Sequence, residues 1–401
     1  MTTTATVQEA PSQVMQGIMV PASAVNPEAF FAHTRRLTFP MGATNRAFAG
    51  LGNTDQAILT QTGIIAQLSI KLSGSLVVTP GTGTVGTTSL WPLGLIRSLR
   101  VTANGQSNLI NASSLWLRAR EMMARSVLVD RGVTQFVGGA SPGTARNNGT
   151  LSLSNEAWGV GSNITGIPAG TYPIEEHFVV PIAFDERTLL GSVFAQTAST
   201  ELTCFMDWAN QSDLFTLAGN AGINLAMNYT IEGIVYSIPE VGGQIIVPNL
   251  STFHSFIVSR VTNIANGDQD PMLSGQGVGR QLLRIGFRVL NGAAPGTPLP
   301  MNAANYGQVG WRYGGNDTPE VFTDGKHLAW WNERTFGVDL ASIYGIGVLD
   351  FCNDFVLRDS VDEGLATNLR LLFSIQNGVA LSGPPVAEVM QETMFGAAAG
   401  G

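Results

Sequence analysis

The sequence predicts an all-β protein of two fused sandwich-type modules, each carrying one short helix in a connection. Three observations carry that reading. The chain has 401 residues, more than the roughly 250–300 at which a single hydrophobic core stops growing. Only 12% of the residues are charged, while Gly (47) and Pro (19) are plentiful. That mixture disfavours long solvated helices and suits many short strands joined by turns. The same order of strand, turn and helix signals also runs twice along the chain, without a fixed sequence period.

Residues 1–34 read as an N-terminal arm. Val7, Ala10, Val14, Met15 and Ile18 share one face at helical spacing, although Pro11 and Gly17 weaken a helix there. The first module spans 35–238. Ala66, Leu68, Ile70 and Leu72 alternate with Gln67, Ser69, Lys71 and Ser73, the period-two pattern of a half-buried strand. Leu99, Val101 and Ala103 repeat it before a turn at Asn104-Gly105. A helix follows, capped by Asn111 or Ser113, with Leu115, Ala119, Met122 and Met123 as its apolar stripe. Residues 137–171 read as long loops around a short strand at 150–154. Strands at 177–184 and 202–208 close the module.

Residues 237–243 form the junction, and the second module spans 244–380. Leu283, Ile285, Phe287 and Val289 alternate with Arg284, Gly286 and Arg288, which puts the two arginines on the face away from the core. The strand ends at Asn291-Gly292. A short helix is expected over 326–336, with Leu328, Trp331 and Phe336 on its inner side, and strands over 343–351 and 369–375. Residues 381–401 read as a C-terminal tail. Two antiparallel sandwiches of jelly-roll type fit this order of elements.

The chemistry points away from catalysis. A net charge of −8 does not suit a surface that neutralises phosphates, so no direct nucleic-acid contact is expected. A surface this poor in charge is expected to associate with copies of itself. Cys204 and Cys352 are the only cysteines, too few for a disulfide framework, and each reads as a buried thiol. No apolar run reaches the length of a membrane span, and the N-terminus lacks a signal-peptide pattern, so synthesis in the cytosol is expected.

Several motifs match by spelling alone. Gly81-Thr82-Gly83-Thr84-Val85-Gly86 reads GxGxxG, but Ser89-Leu90-Trp91-Pro92 soon follows where the dinucleotide motif needs a helix start. Gly139-Ala140-Ser141-Pro142-Gly143 reads GxSxG, but Pro142 and Gly143 leave no helix to carry the serine. His33, His177, His254 and His327 lack metal-ligand spacing. His177 beside Glu175-Glu176 reads as a solvated strand entry. Asp359, Asp362 and Glu363 share a loop but lack the spacing of a calcium-binding loop. Asn111, Asn148, Asn163, Asn228, Asn249 and Asn316 begin sequons expected by chance in so Asn- and Thr-rich a chain. No catalytic, cofactor or metal site is expected.

One stretch is distinctive. Phe178-Val179-Val180-Pro181-Ile182-Ala183-Phe184 precedes an acidic turn at Asp185-Glu186, then Leu189-Leu190-Gly191-Ser192-Val193, and a strand ending Trp208-Ala209-Asn210. It resembles the first-module signature of the double-jelly-roll major capsid proteins of tailless phages with an internal membrane, the tectivirus kind. Val235-Tyr236, Ile245-Ile246-Val247-Pro248 and Leu250-Ser251-Thr252-Phe253 are similar to that family's crossing into the second roll. Val348-Leu349-Asp350-Phe351-Cys352-Asn353 and 369–377 are similar to its closing strands.

The resemblance covers about a quarter of the chain and implies a homotrimer of nearly hexagonal outline that tiles an icosahedral virion shell. It implies further partners in penton and minor capsid proteins, and in an internal membrane reached by the arm. Val14, Met15, Ile18 and Met19 are the arm's expected contacts with that membrane or with a neighbouring tile. The competing reading is a glycan-binding or glycan-processing β-sandwich, or else a spike or minor shell component. A glycan protein would need exposed aromatics over a groove and, if hydrolytic, two carboxylates at a set separation.

Overall fold

Alternation along the long strands builds the first roll. In the computed structural model, Leu68, Ile70, Leu72 and Leu76 of strand Ile64–Thr79 are buried while Lys71 is exposed. The structure describes residues 13–15, 18–20, 24–88, 90–104, 107–125, 135–137, 150–152, 166–196, 200–273, 279–292, 296–314, 317–352, 357–364 and 368–396. Ile64–Thr79 pairs antiparallel with Gly170–Pro181 on one edge and Gly222–Tyr236 on the other, and Arg36–Pro40 completes that sheet. The facing sheet runs Thr54–Ile58, Leu202–Trp208, Ile96–Ala103 and Ser107–Ala112. Between the sheets lies one core that includes Leu99, Val101, Trp208 and Tyr229. The expected turn is present, with Asn104 at φ 50°, a left-handed conformation that asparagine tolerates.

The second roll repeats the plan. Arg370–Ile375 pairs with Gly267–Gln269 and Tyr306–Tyr313, and Asp317–Phe322 forms the far edge. Opposite stand Thr252–Thr262, Val386–Gly396, Arg280–Asn291 and Gly347–Asp350. Phe287 is fully buried and stacks on Phe373 with ring centroids 5.2 Å apart, and Leu371 is buried beside them.

A continuous sheet fuses the rolls. Thr252–Thr262 runs parallel to Ser107–Ala112, pairing Ile110 with Phe256 and Asn111 with Ile257, so one ten-stranded sheet crosses both rolls. The helix Ser114–Arg125 continues from strand Ser107–Ala112, and its residues Trp116 and Met122 share a core with Phe256, Val348 and Met390 of the second roll. The second-roll helix, Gly325–Phe336, is capped by the Asp324 side chain, which accepts from the His327 amide at 2.8 Å. Its buried positions Leu328, Asn332 and Phe336 recur every four residues, as an amphipathic helix requires.

Four expectations are corrected. The expected tail at 381–401 gives way to structure over 386–396, because Val386–Gly396 is an interior strand hydrogen-bonded along both edges. Its polar residues Glu388, Gln391 and Glu392 are buried, so its sequence does not show the apolar run of an interior strand. Val14, Met15 and Ile18 of the arm do not make a helix: Gln13–Met15 pairs antiparallel with Ile18–Val20, as β-branched Val14, Ile18 and Val20 favour; Val7 and Ala10 lie outside the described residues. The arm's helix lies later, at Pro27–His33, with Asn26 accepting from the Ala29 amide at 3.0 Å and Pro27 in the first turn. Leu283 does not face the second core with Ile285 and Phe287, because a bulge between Leu282 and Arg284 turns it over. The expected strand over 343–351 is shortened to Gly347–Asp350, since Leu340–Tyr344 is helical and Gly345 (φ 67°) ends that helix. Of the short strand expected at 150–154, Thr150–Ser152 pairs with Gln135–Val137, and residues 153 and 154 lie outside the described residues.

Candidate functional site

Among the described residues the catalytic look-alikes do not assemble. Gly81–Gly86 leads into strand Thr84–Thr87, paired with Phe215–Ala218, rather than into a helix. The GxSxG segment at 139–143 lies outside the described residues. His177 stays on strand Gly170–Pro181 with Nε2 3.3 Å from Glu175. His33 contacts the Ala29 carbonyl at 2.8 Å, and His327 sits in the first turn of its helix. Among the described residues no three His, Cys, Asp or Glu side chains gather as a metal site, and Asp359, Asp362 and Glu363 form none. No helix of the described residues is long and apolar enough to cross a membrane. Burial pushes the Cys204 and Cys352 thiols up to about 12, which leaves them as inert core residues.

The polar residues that matter lie in the seam between the rolls, and the sequence reading placed two of them wrongly. Arg284 and Arg288 do not face solvent; they are 2% and 3% exposed. The face of Arg280–Asn291 turned from the second core meets the helix Ser114–Arg125, so the strand is covered on both sides. Gly286 sits under the Trp116 ring, where a Cβ would lie 3.0 Å from that ring and 2.8 Å from the Met390 methyl.

Two carboxylates of Val386–Gly396 organise the seam. Fully buried Glu392 accepts from Arg120 Nε at 3.0 Å and Arg284 Nη1 at 3.0 Å, and stands 2.9 Å from His254 Nε2. Arg120 comes from the first-roll helix, whereas Arg284 and His254 come from second-roll strands. Arg284 also donates to Asp350 at 2.9 Å, and Arg120 to the Phe184 carbonyl at 2.8 Å. Burial alone would raise the Glu392 carboxyl, but Arg120 and Arg284 outweigh it and hold the group well below the usual range. Glu388 accepts from Trp116 Nε1 at 2.9 Å, Arg288 Nε at 2.8 Å and Arg260 Nη2 at 2.9 Å. Burial opposes its ionisation too, yet Arg288 and Arg260 bring it down to about 2. A buried charge is tolerated only when paired and hydrogen-bonded, and here each pairing crosses or lines the joint. No single spacing in the sequence marks this network; the hint was a strand-like run at 386–396 carrying two glutamates four residues apart.

The outer surface carries a second feature. Trp330 and Trp331 are 52% and 42% exposed, contrary to the inward position expected for Trp331. They neighbour each other with Arg334 5.7 Å from both ring centres, and Val321 of the adjacent edge strand is also exposed. Two half-exposed tryptophans side by side are costly on a free monomer and typical of contact surfaces. The expected arm contacts Val14, Met15, Ile18 and Met19 lie on the two paired strands of residues 13–20, and the surroundings of their side chains lie outside the description. Further along, Phe30 is fully buried among Ile64, Phe194 and Ile246, so the end of the arm belongs to the fold. Val25 and Val247 pair across a parallel ladder beside it.

No protein-family model and no curated protein matches the chain. Solved structures do. The STIV MCP matches with a TM-score of 0.59 at 13% identity, over 90% of this chain and 95% of that one; STIV is Sulfolobus Turreted Icosahedral Virus. The PBCV-1 virus capsid matches with a TM-score of 0.54 at 10% identity, over 90% and 94%. The Faustovirus major capsid protein matches with a TM-score of 0.54 at 8% identity, over 96% and 93%. The chain is all-β and shares the two-roll fold of these capsid proteins along nearly its whole length.

Proposed function

We propose that this chain is a major capsid protein, structural rather than catalytic, which assembles with itself into an icosahedral virion shell. The observation that carries the reading is the pair of jelly rolls locked into one unit by a shared sheet, a likeness to capsid proteins that extends over nine-tenths of the chain. In this reading the first roll spans 35–238 and the second runs from 244 to the end of its last strand. The building block is a homotrimer of pseudo-hexagonal outline, with Trp330, Trp331 and Val321 covered by a neighbouring copy. The shell encloses an internal membrane and closes with penton and minor capsid proteins, and Val14, Met15, Ile18 and Met19 touch that membrane or a neighbouring tile. The acidic balance of the chain suits a shell separated from the genome, because it offers little to phosphate.

Light scattering on the purified chain tests this. The expected result is three times the mass of the chain at micromolar concentration, falling to the monomer mass in Trp330→Ser/Trp331→Ser with the circular-dichroism spectrum unchanged. A monomeric parent chain would overturn the trimer, and a trimeric double variant would move its contact elsewhere.

A further inference from the structure

A cavity of about 250 Å³ opens at the seam, with walls from both rolls, including Ile96 and Leu115 of the first and Leu290 and Val386 of the second. Its charged lining groups are Arg97, Arg260, Arg288, Asp213 and Glu388. Both acids are already committed. Glu388 serves Trp116, Arg260 and Arg288, and Asp213 accepts from the backbone and side-chain nitrogens of Asn210 at 3.1 Å. Arg97 is exposed and has no ion pair among the described residues. Arg288 turns Nε and Nη2 to one Glu388 oxygen, both at 2.8 Å, which leaves Nη1 on the other side of the guanidinium. Nη1 is buried, with no hydrogen-bond partner among the described residues, a condition that costs as much as a lost bond and calls for an acceptor. The helix Ser114–Arg125 also begins here. Ser113 and Leu115 line the cavity, and no acidic residue in the first turn complements the positive end of the helix dipole.

We propose that this cavity binds a small amphipathic oxyanion. Its carboxylate or phosphate head is held between Arg97, Arg288 Nη1 and the start of the helix, and its short apolar body lies against Leu115, Leu290 and Val386. The volume is below that of pockets for drug-sized ligands, so the body is a few carbons or one ring. Because the walls come from both rolls, an occupant stabilises the joined form over any form in which the rolls separate.

Thermal unfolding of the full chain tests the proposal with four probes: inorganic phosphate, phenyl phosphate, hexanoate, and hexanol as the neutral control. Phenyl phosphate or hexanoate should raise the melting temperature saturably. Inorganic phosphate should act more weakly, and hexanol should not act. The two anions separate a phosphate head from a carboxylate head. Arg97 is exposed, so Arg97→Glu should fold as the parent does and bind about tenfold more weakly or not at all. Arg35→Glu, at an exposed position outside the cavity lining, should bind as the parent does. No saturable shift with either organic anion, or a shift unaltered in Arg97→Glu, would overturn the site. Equal stabilisation by inorganic phosphate would overturn the apolar half of the ligand. The readout does not depend on particle formation, so it stands or falls separately from the capsid reading.

Discussion

Replacing Glu392 with Gln keeps the side-chain shape and removes one charge at the centre of the seam. Arg120 keeps the Phe184 carbonyl at 2.8 Å, and Arg284 keeps Asp350 at 2.9 Å, but both lose the carboxylate charge that faces them. Removing one partner from a buried, hydrogen-bonded ion pair costs about 3–5 kcal/mol, because the surviving charge stays desolvated. The expected loss at pH 7 is therefore about 3–5 kcal/mol. Urea unfolding followed by tryptophan fluorescence measures it, since Trp116 itself donates to the neighbouring Glu388.

The sign of the pH dependence follows from the carboxyl's depressed titration. Its stabilisation is complete above the ordinary range near 4.5 and is lost as pH falls toward the folded-state value. The cost of Glu392→Gln should accordingly shrink in acid. A companion variant, Arg120→Met with Glu392→Gln, should recover part of the loss by removing the stranded charge. A cost below about 1 kcal/mol at pH 7 would place this network with exposed surface pairs and refute the argument.

Three further outcomes are expected. Gly286→Leu should destabilise by about 1–3 kcal/mol, because its side chain would enter space held by Trp116 and Met390; equilibrium unfolding beside the parent checks this. Burial raises the Glu363 carboxyl to about 7 although Arg280 lies 3.6 Å away. The folded chain therefore keeps a proton that the unfolded chain releases between about pH 4.5 and 7, and stability falls as pH rises through that window. Glu363→Gln should remove a penalty of up to about 3 kcal/mol above pH 7 and flatten the profile, read from melting temperatures at pH 5 and pH 8. Deleting residues 2–23 should leave the melting temperature nearly unchanged, whereas deleting 2–30 should lower it sharply. The longer deletion takes away fully buried Phe30, a loss of about 3–5 kcal/mol; equal effects of the two deletions would contradict that boundary.

Much of the fold was legible in the sequence because its signals are local. Period-two alternation marked Ile64–Thr79 and Ile96–Ala103, the Asn104 turn followed from the side chain that tolerates it, and the helices Ser114–Arg125 and Gly325–Phe336 lay where their apolar stripes placed them. The doubling of the architecture was legible for the same reason. The seam was not. Arg284, Arg288, Glu388 and Glu392 spell solvent-facing positions on half-buried strands, and only the helix Ser114–Arg125, folding across from the other roll, covers them. The tail was misread from the same cause, since a strand whose polar face is buried against charges lacks the apolar run of an interior strand. Trp331 erred in the opposite direction, an aromatic assigned to the core that the helix register turned outward. Composition and periodicity report what each residue prefers beside its chain neighbours. Whether an arginine or a tryptophan meets water is decided by which surface arrives from far along the chain, and that is a property of the tertiary structure alone.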